Sequence, residues 1–279
     1  MEQQKKVIGV DLGGTNMRAG RICGQTLEAE ASFPTPAHAQ TQEETIEALI
    51  RAIEAVWNNS VQAIGIGVPS VVDRAKGIVY NVANIPSWKE VHLKEILEKR
   101  FNVAVAVNND CNCFALGISL YGEGGSFRNL VAITLGTGVG AGVMVERQLY
   151  SGRFAGAGEV GCLPYKDSDF EHYCSSFFFK KHHTSGAAEA EKALKGDSEA
   201  IALWEEFGYH LGQLIKAILY TYAPHAVIIG GGIAPAFPLF QEAMNRAMDD
   251  FPYTLIREKV KVLPTNLKDA NLLGAASLL

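Results

Sequence analysis

Asp11-Leu12-Gly13-Gly14-Thr15-Asn16 decides the fold because of what stands before it. Val7-Ile8-Gly9-Val10 is an apolar run and predicts a buried strand. The order is therefore strand, carboxylate, two glycines, hydroxyl. Gly13 and Gly14 can take positive φ and admit a ligand close to the backbone. Thr15 and Asn16 add side-chain donors beside exposed backbone N–H groups, and a concave row of donors suits phosphate oxygens. Asp11, ending the strand, is placed to hold a hydrated Mg²⁺ near those phosphates. A plain hairpin with a glycine turn accounts for this one stretch equally well.

The rest of the chain separates the two. Leu130-Val131-Ala132-Ile133-Thr134-Leu135 is a second apolar run, followed by Gly136-Thr137-Gly138-Val139-Gly140-Ala141-Gly142. A third, Ala226-Val227-Ile228-Ile229, enters Gly230-Gly231-Gly232-Ile233-Ala234. None is a Walker loop, because no Gly-Lys-Ser/Thr follows, and no G-x-G-x-x-G opens a helix near the N-terminus. Two halves, each opening with a strand and a phosphate-sized turn, predict two related α/β domains clasping a nucleotide.

A chain of 279 residues can bury a sizeable core in one or two domains. Its net charge of −5 gives no reason to expect nucleic acid or an anionic membrane surface as partner. The apolar stretches are too short to span a bilayer. Lys5-Lys6 lead straight into the first strand, so no signal peptide is expected. Five cysteines without framework spacing fit a reducing compartment, and the expected location is cytoplasmic.

Working outward, Met17–Ile22 reads as a strand paired back on the first. Thr41 and Glu44 form a capping box for a helix whose buried face is Ile46, Leu49, Ile50, Ile53 and Val56. Ala63–Val68 is another buried strand stopped by Pro69, and the alternation of strands and helices argues α/β with a partly parallel sheet. Asn81–Trp88 is loop-like, broken by Pro86, and loop chemistry alone accounts for Asn84. Asn108-Asn109-Asp110 ends the strand Val103–Val107, where α/β sheets often carry functional carboxylates. Position alone favours Asp110 as the N-cap of a helix starting near Asn112. Cys111 and Cys113 point to different faces of that helix and read as buried small residues. Ala141–Val145 is a strand antiparallel to the one before it, turning at Glu146-Arg147-Gln148. Ser151–Gly161 is a glycine-rich loop, and Glu159 within it reads as a solvated acid. Lys180-Lys181-His182-His183 is a solvated run. Asp197 caps a helix to Tyr222 with Ile201, Trp204, Leu211, Leu214, Ile215 and Ile218 inward, closed by Pro224. A helix at 239–249, a strand at 260–263 and a last helix at 269–279 follow.

The motifs DLGGTN at 11–16, NND at 108–110, LGTGVGAG at 135–142, GAGEVG at 156–161 and IIGGGIA at 228–234 resemble the ROK family of sugar kinases, within the actin-like ATPase superfamily. They come in the family's order over nearly the whole chain. The resemblance implies two ribonuclease-H-like domains with a central cleft, about 1–115 plus a C-terminal helix (266–279) and 116–265. It implies ATP-dependent phosphorylation of a hexose or N-acetylhexosamine, at the 6-hydroxyl, with Asp110 as general base. Asn84, Asn109, Glu159 and Glu171 then hold sugar hydroxyls; Gly13, Gly14, Thr15, Asn16, Gly136, Thr137, Gly138, Gly231 and Gly232 line the nucleotide site; Asp11 orients Mg²⁺ through water. A homodimer is implied too.

One stretch departs from the family. Its pattern has Gly-His-x-Pro followed by a Cys-rich segment that binds a structural zinc. Here Gly161-Cys162-Leu163-Pro164 puts Cys162 in the histidine's place, and Tyr165–Phe170 is all that remains of the segment. Glu171-His172-Tyr173-Cys174-Ser175-Ser176 resembles the family's Glu-x-Tyr-Ala-Ser-Gly, which is what carries the second sugar-binding role to Glu171. Cys162, His172, Cys174 and His182 or His183 fit no zinc spacing, so no structural zinc is expected. Packing by Phe177, Phe178 and Phe179 is expected to hold the loop instead. The family also contains sugar-responsive repressors with an N-terminal winged helix; a first core strand at Val7 leaves no room for one. A sugar-binding regulatory protein without significant kinase activity is the alternative.

Overall fold

The computed structural model describes residues 5–279. The expectation of no signal peptide falls partly on residues 1–4, outside the described residues. The first apolar run is a strand, β1 (Lys6–Leu12), and β2 (Asn16–Cys23) returns antiparallel to it. Next comes β3 (Thr26–Pro34), which the sequence reading had missed; its residues alternate half-buried and exposed, as on an edge strand. The capping box forms at Thr41 and opens α1 (Gln42–Val56). Of its expected inner face Ile46, Leu49, Ile53 and Val56 are buried, while Ile50 is only half-buried. Two further strands, β4 (Val61–Val68) and β8 (Ala104–Asn109), run parallel to β1, giving the order β3-β2-β1-β4-β8. Between them lie a small sheet, β5 (Val71–Asp73), β6 (Ile78–Tyr80) and β7 (Glu90–Val91), and α2 (Leu93–Phe101).

α3 (Asp110–Tyr121) leads to a second sheet of the same plan. β9 (Leu130–Leu135) pairs antiparallel with β10 (Val139–Val145), which pairs with β11 (Gln148–Leu149). A hairpin of β12 (Pro164–Tyr165) and β13 (Ser168–Asp169) precedes α4 (Phe170–Cys174), α5 (Ser176–Lys181), α6 (Gly186–Leu194) and the long α7 (Ser198–Tyr222). β14 (Ala226–Gly230) runs parallel to β9, and after α8 (Phe237–Ala247) and α9 (Thr254–Lys259), β15 (Lys261–Pro264) completes the order β11-β10-β9-β14-β15. Asp197 caps α7 as expected, accepting from Glu199 N and Ala200 N. Ile201 is 42% exposed, however, and Phe207 fills the core in its stead.

Two corrections concern the motifs. Gly140 belongs to β10 together with Gly142, the strand starting at Val139 rather than at Ala141. They are small because α3 crosses there: a Cβ on Gly142 would press on Ala115 Cβ at 2.5 Å, and one on Gly140 would strike Cys111 Sγ. Asp110 does not cap α3. Asn109 does, its Oδ1 accepting from Cys111 N at 2.8 Å and Asn112 N at 3.2 Å. The last helix, α10 (Ala270–Ala276), packs back on the first sheet, with Gly9 against the Leu272 carbonyl and Gly65 against that of Ala275. No helix among the described residues is long and apolar enough to cross a membrane.

Candidate active site

The carboxyl ends of the strands of both sheets face one cleft of about 690 Å³. Its walls include Gly13, Gly14, Thr15, Asn84, Asn109, Asp110, Gly136, Thr137, Gly138, Glu159, Glu171 and Gly231. Most of the residues singled out from sequence are thus gathered in one place. Asp11, Asn16 and Gly232 are not among the walls. Asn16 opens β2, and its carbonyl accepts from Gly13 N at 3.0 Å, closing the first turn. Gly232 lines a neighbouring pocket instead.

Register places the two acids of the first sheet. Asp11 lies opposite Gly67 across β1–β4, and Gly67 lies opposite Asn108 across β4–β8. Asp11 and Asp110 therefore flank a glycine at the ends of next-but-one strands. A Cβ on Gly67 would come within 3.2 Å of Asp110 Cα, so the glycine lets α3 start hard against the sheet. Burial pushes the Asp110 carboxyl up to about 7; the negative charges of Asp11 and Glu159 add to this, and the bond from Cys111 N opposes it. Burial also raises Asp11, against a 3.4 Å hydrogen bond from Asn271 Nδ2 and the charge of Arg18. Two mutually repelling oxygen donors beside a phosphate-sized turn fit a hydrated Mg²⁺, which takes one or two carboxylates and keeps water. Among the described residues no three His, Cys, Asp or Glu side chains converge as metal ligands.

The loop bearing Asn84 is anchored by buried Ile85 and Trp88, the indole donating to Gln42 O at 3.3 Å. That anchor sets Asn84 against the first turn, where a Cβ on Gly14 would lie 2.8 Å from its own. Since capping uses Asn109 Oδ1, its amide Nδ2 is the group left for a ligand; it sits 3.4 Å from Ser70 O. On the facing side, Gly136 N donates to Gly138 O at 3.0 Å, and a Cβ on Gly136 would meet nothing within 4 Å. Glu171 backs onto this turn: Oε2 accepts from Val139 N at 2.9 Å, and a Cβ on Gly138 would strike it. Glu159 is raised by burial and by the charge of Glu171. Cys111, Thr134, Ser70 and His38 also line the cleft and were missed as wall residues. A signal existed for Thr134, which stands two residues before its glycine as Asp11 does before Gly13. Burial and the charge of Asp110 hold the Cys111 thiol protonated.

Behind Gly232 and Ser176 opens an apolar pocket of about 410 Å³ with Phe179, Trp204, Ile233 and Leu239 in its walls. Ser176 joins it to the second turn, its N–H donating to Gly136 O at 2.8 Å. The β12–β13 hairpin connects Cys162 to Glu171. Its Tyr165 ring stacks on Phe170 at 4.4 Å, and its hydroxyl lies 3.0 Å from Nδ1 of His210 on α7. His210 is 1% exposed, ringed by Tyr165, Tyr173 and Phe178. Phe178 and Phe179 are core residues as expected, but Phe177 is only half-buried and stacks on His172.

Two facing mixed sheets, each opened by a strand–turn–strand and joined by a cleft at their carboxyl ends, are the actin-like ATPase architecture. The chain belongs to the ROK family, whose model matches residues 7–279. It is 35% identical to a glucokinase of Streptomyces coelicolor, covering 86% of each chain. It is 27% identical to the xylose repressor of Bacillus spizizenii, over 97% of this chain and 76% of that one. The crystal structure of a ROK family glucokinase from Streptomyces griseus, in complex with glucose and AMPPNP, matches with a TM-score of 0.83 at 26% identity, covering 98% of each.

Proposed function

We propose that the protein transfers the γ-phosphoryl group of ATP to a hexose or N-acetylhexosamine, at the 6-hydroxyl. One observation carries the reading: half-buried Asp110, its carboxyl pushed up to about 7 by desolvation, faces glycine turns across a cleft of substrate size. A base works best when its pKa lies near the operating pH. Asp110 takes the hydroxyl proton as that oxygen attacks the γ-phosphorus; the bond to the ADP oxygen breaks and ADP leaves. Gly13, Gly14, Thr15, Gly136, Thr137 and Gly138 hold the phosphates, Gly231 and Gly232 pass the nucleotide to the apolar pocket, and that pocket seats the base. Asn84, Asn109, Glu159 and Glu171 pair the remaining sugar hydroxyls, because an unpaired buried hydroxyl is costly. Asp11 would hold Mg²⁺ when it is bound, and the ion would supply positive charge to neutralise the phosphates. The halves dividing near residue 115, with the C-terminal helix belonging to the first, close over the substrates and exclude water.

The xylose repressor relative supports a second reading, a sugar-binding regulator without significant turnover. A coupled ADP-release assay over glucose, mannose, fructose, allose and N-acetylated hexosamines separates the two. Sugar-dependent ADP release supports the kinase; sugar binding by calorimetry with no release from any of them supports the regulator.

A further inference from the structure

Two adjacent residues in the loop between β11 and β12 hold a backbone that side chains rarely adopt. Phe154 has φ 54° and Ala155 φ 56°, and neither is glycine. Positive φ crowds Cβ against a carbonyl oxygen, so such a turn persists only where its surroundings force it. Those surroundings belong to the first sheet. Ala155 is 1% exposed and sits in that sheet's apolar core, in one cluster with Val72 and Val79. The Phe154 ring meets Tyr80 of β6 edge-on at 6.4 Å. The loop then returns to the second sheet at Gly158, where a Cβ would strike the Ala141 carbonyl of β10. Glu159 follows at once, in the wall of the cleft. The loop therefore stitches one sheet to the other, with an acid at its exit.

One side chain closes the stitch. Asn112 lies on the first turn of α3, two residues past Asp110, and is fully buried. Its Nδ2 donates to Asn108 Oδ1 at 3.1 Å and to Ala155 O at 3.4 Å. Asn108 Oδ1 also accepts from Asn109 N at 2.8 Å, so the strand end before Asp110 and the helical turn after it meet at the same amide. Asn112 Oδ1 has no hydrogen-bond partner among the described residues. A buried orphan acceptor is destabilising, and an apolar side chain would not carry that cost. What the asparagine adds is its donor, aimed at the strained turn. The two acids on either side of it are close enough for the charge of Glu159 to bear on Asp110. We infer that Asn112 is a positioning residue: it ties the Phe154-Ala155 turn to the helix that carries Asp110, and so fixes Glu159 relative to Asp110 for the sugar. It touches no substrate and acts through Glu159. The consequence for sugar affinity rests on the kinase reading of the cleft; the tether itself does not.

Two substitutions act on the tether from opposite ends. Asn112→Ala removes the donor. Phe154→Asn, at a position 43% exposed, relieves the strain, because asparagine visits positive φ more readily than phenylalanine. Hydrogen–deuterium exchange of the full chain without ligand reads the tether. Amides of residues 151–159 should exchange at least about fivefold faster in Asn112→Ala, with α7 and β14 unchanged. ADP release with glucose, mannose and N-acetylglucosamine reads the consequence. The KM of the best of these should rise about tenfold, with kcat and the affinity for a non-hydrolysable ATP analogue within about threefold of wild type. Adding Phe154→Asn to Asn112→Ala should bring KM back to within about threefold of wild type, since a turn free of strain needs no tether. A merely structural defect would instead be deepened by the second change. Unchanged exchange in 151–159 overturns the inference, as do faster exchange with no effect on sugar, equal loss of sugar and nucleotide affinity, or a double variant no better than Asn112→Ala. If wild type releases no ADP, calorimetric sugar titration replaces KM: loss and rescue there keep the tether and refute the kinase reading. Should Asn112→Ala not fold, Asn112→Thr is read by the same measures, its volume similar and its hydroxyl turned back to the helix's own carbonyls.

Discussion

The two five-stranded sheets share one plan and differ in what they put at their strand ends. Where β1 carries Asp11 next to its last residue, β9 has Thr134 at the corresponding place. Where β4 ends at Val68 before Pro69, β14 runs into Gly230-Gly231-Gly232. Where β8 delivers Asn109 and Asp110, β15 delivers Pro264 and Thr265. The first sheet ends in the carboxylates Asp11 and Asp110; the second ends in a hydroxyl and glycine-rich backbone, its acids Glu159 and Glu171 coming from the segments that follow β10. Repeating a fold has duplicated the scaffold and varied its strand ends; under the proposed function the first set moves the proton while the glycine turns of both halves hold the phosphates.

The largest expected effect tests the acidic side. Asp110→Asn should lower kcat by roughly 10²–10⁴-fold and leave nucleotide affinity within about twofold; a kcat within threefold of wild type in the ADP-release assay would refute the assigned role. In wild type the base acts deprotonated, so kcat/KM should fall about tenfold per pH unit below about 7. Stability runs the other way. The folded chain keeps a proton on Asp110 that the unfolded chain has lost between the usual carboxylate range and about 7, so this group's contribution falls as pH rises through that window. Asp110→Asn should therefore be more stable than wild type at pH 8, by roughly 1–3 kcal/mol in denaturant titration.

Next in size is a break on the neutral side. Gly138→Val is read by both ATP use and sugar binding. With Glu171 behind Gly138, the substitution should damage both, about 10²-fold in kcat/KM, the scale of a misplaced site. Gly136→Ala has open space and should weaken only an ATP analogue in calorimetry; a comparable loss of sugar affinity would show the two turns are not independent. A subtler sharpening uses Asp11→Asn. Removing that charge should move the acid limb of the residual pH profile to lower pH, because Asp11 helps raise Asp110. An unmoved limb would mean the acids do not communicate. Smallest is Tyr165→Phe, which removes the hydroxyl beside His210 and should cost about 0.5–1.5 kcal/mol and raise the KM for sugar. Burial lowers His210 below its ordinary value, so the fold loses stability from this group as pH falls through about 6.5. The variant should lose its deficit to wild type in thermal melts at pH 5 if protonation breaks the same contact.

Much of the fold was legible because apolar strands run directly into glycines. Strands β1, β9 and β14 announce themselves that way, and so does the cleft. Where the signal was lost, tertiary contact decided. Gly140 reads as more turn, yet like Gly142 it is a strand residue kept small for a crossing helix, and one sequence cannot distinguish a glycine needed for φ from one needed for clearance. Asp110 read as a cap because caps and strand-end acids occupy the same position; the cap fell to Asn109, whose shorter reach to two N–H groups leaves Asp110 facing the cleft. The edge strand β3 carried an alternating pattern in Thr26–Pro34 that should have been found. The His210–Tyr165 contact joins residues 45 apart and had no local signal.

The glycines beneath α10 also bear on how the chain is made. Gly9 and Gly65 in the first sheet, and Gly117 on α3, each leave room for a backbone carbonyl, of Leu272, Ala275 and Ala270 respectively, where a side chain would otherwise sit. Tyr121 meets Ser277 at 2.8 Å across a sequence separation of 156, and Arg18 pairs with Asp269 across one of 251. On the ribosome, then, the first half emerges with one face uncovered and stays so until residues 270–276 have been made. At about 5–20 residues per second that interval lasts many seconds. The first sheet has all its strands by Asn109, whereas the second gains its last strand only at Lys261–Pro264, shortly before α10. The first sheet therefore waits longest for its cover, and a chain truncated before residue 270 should leave that face bare.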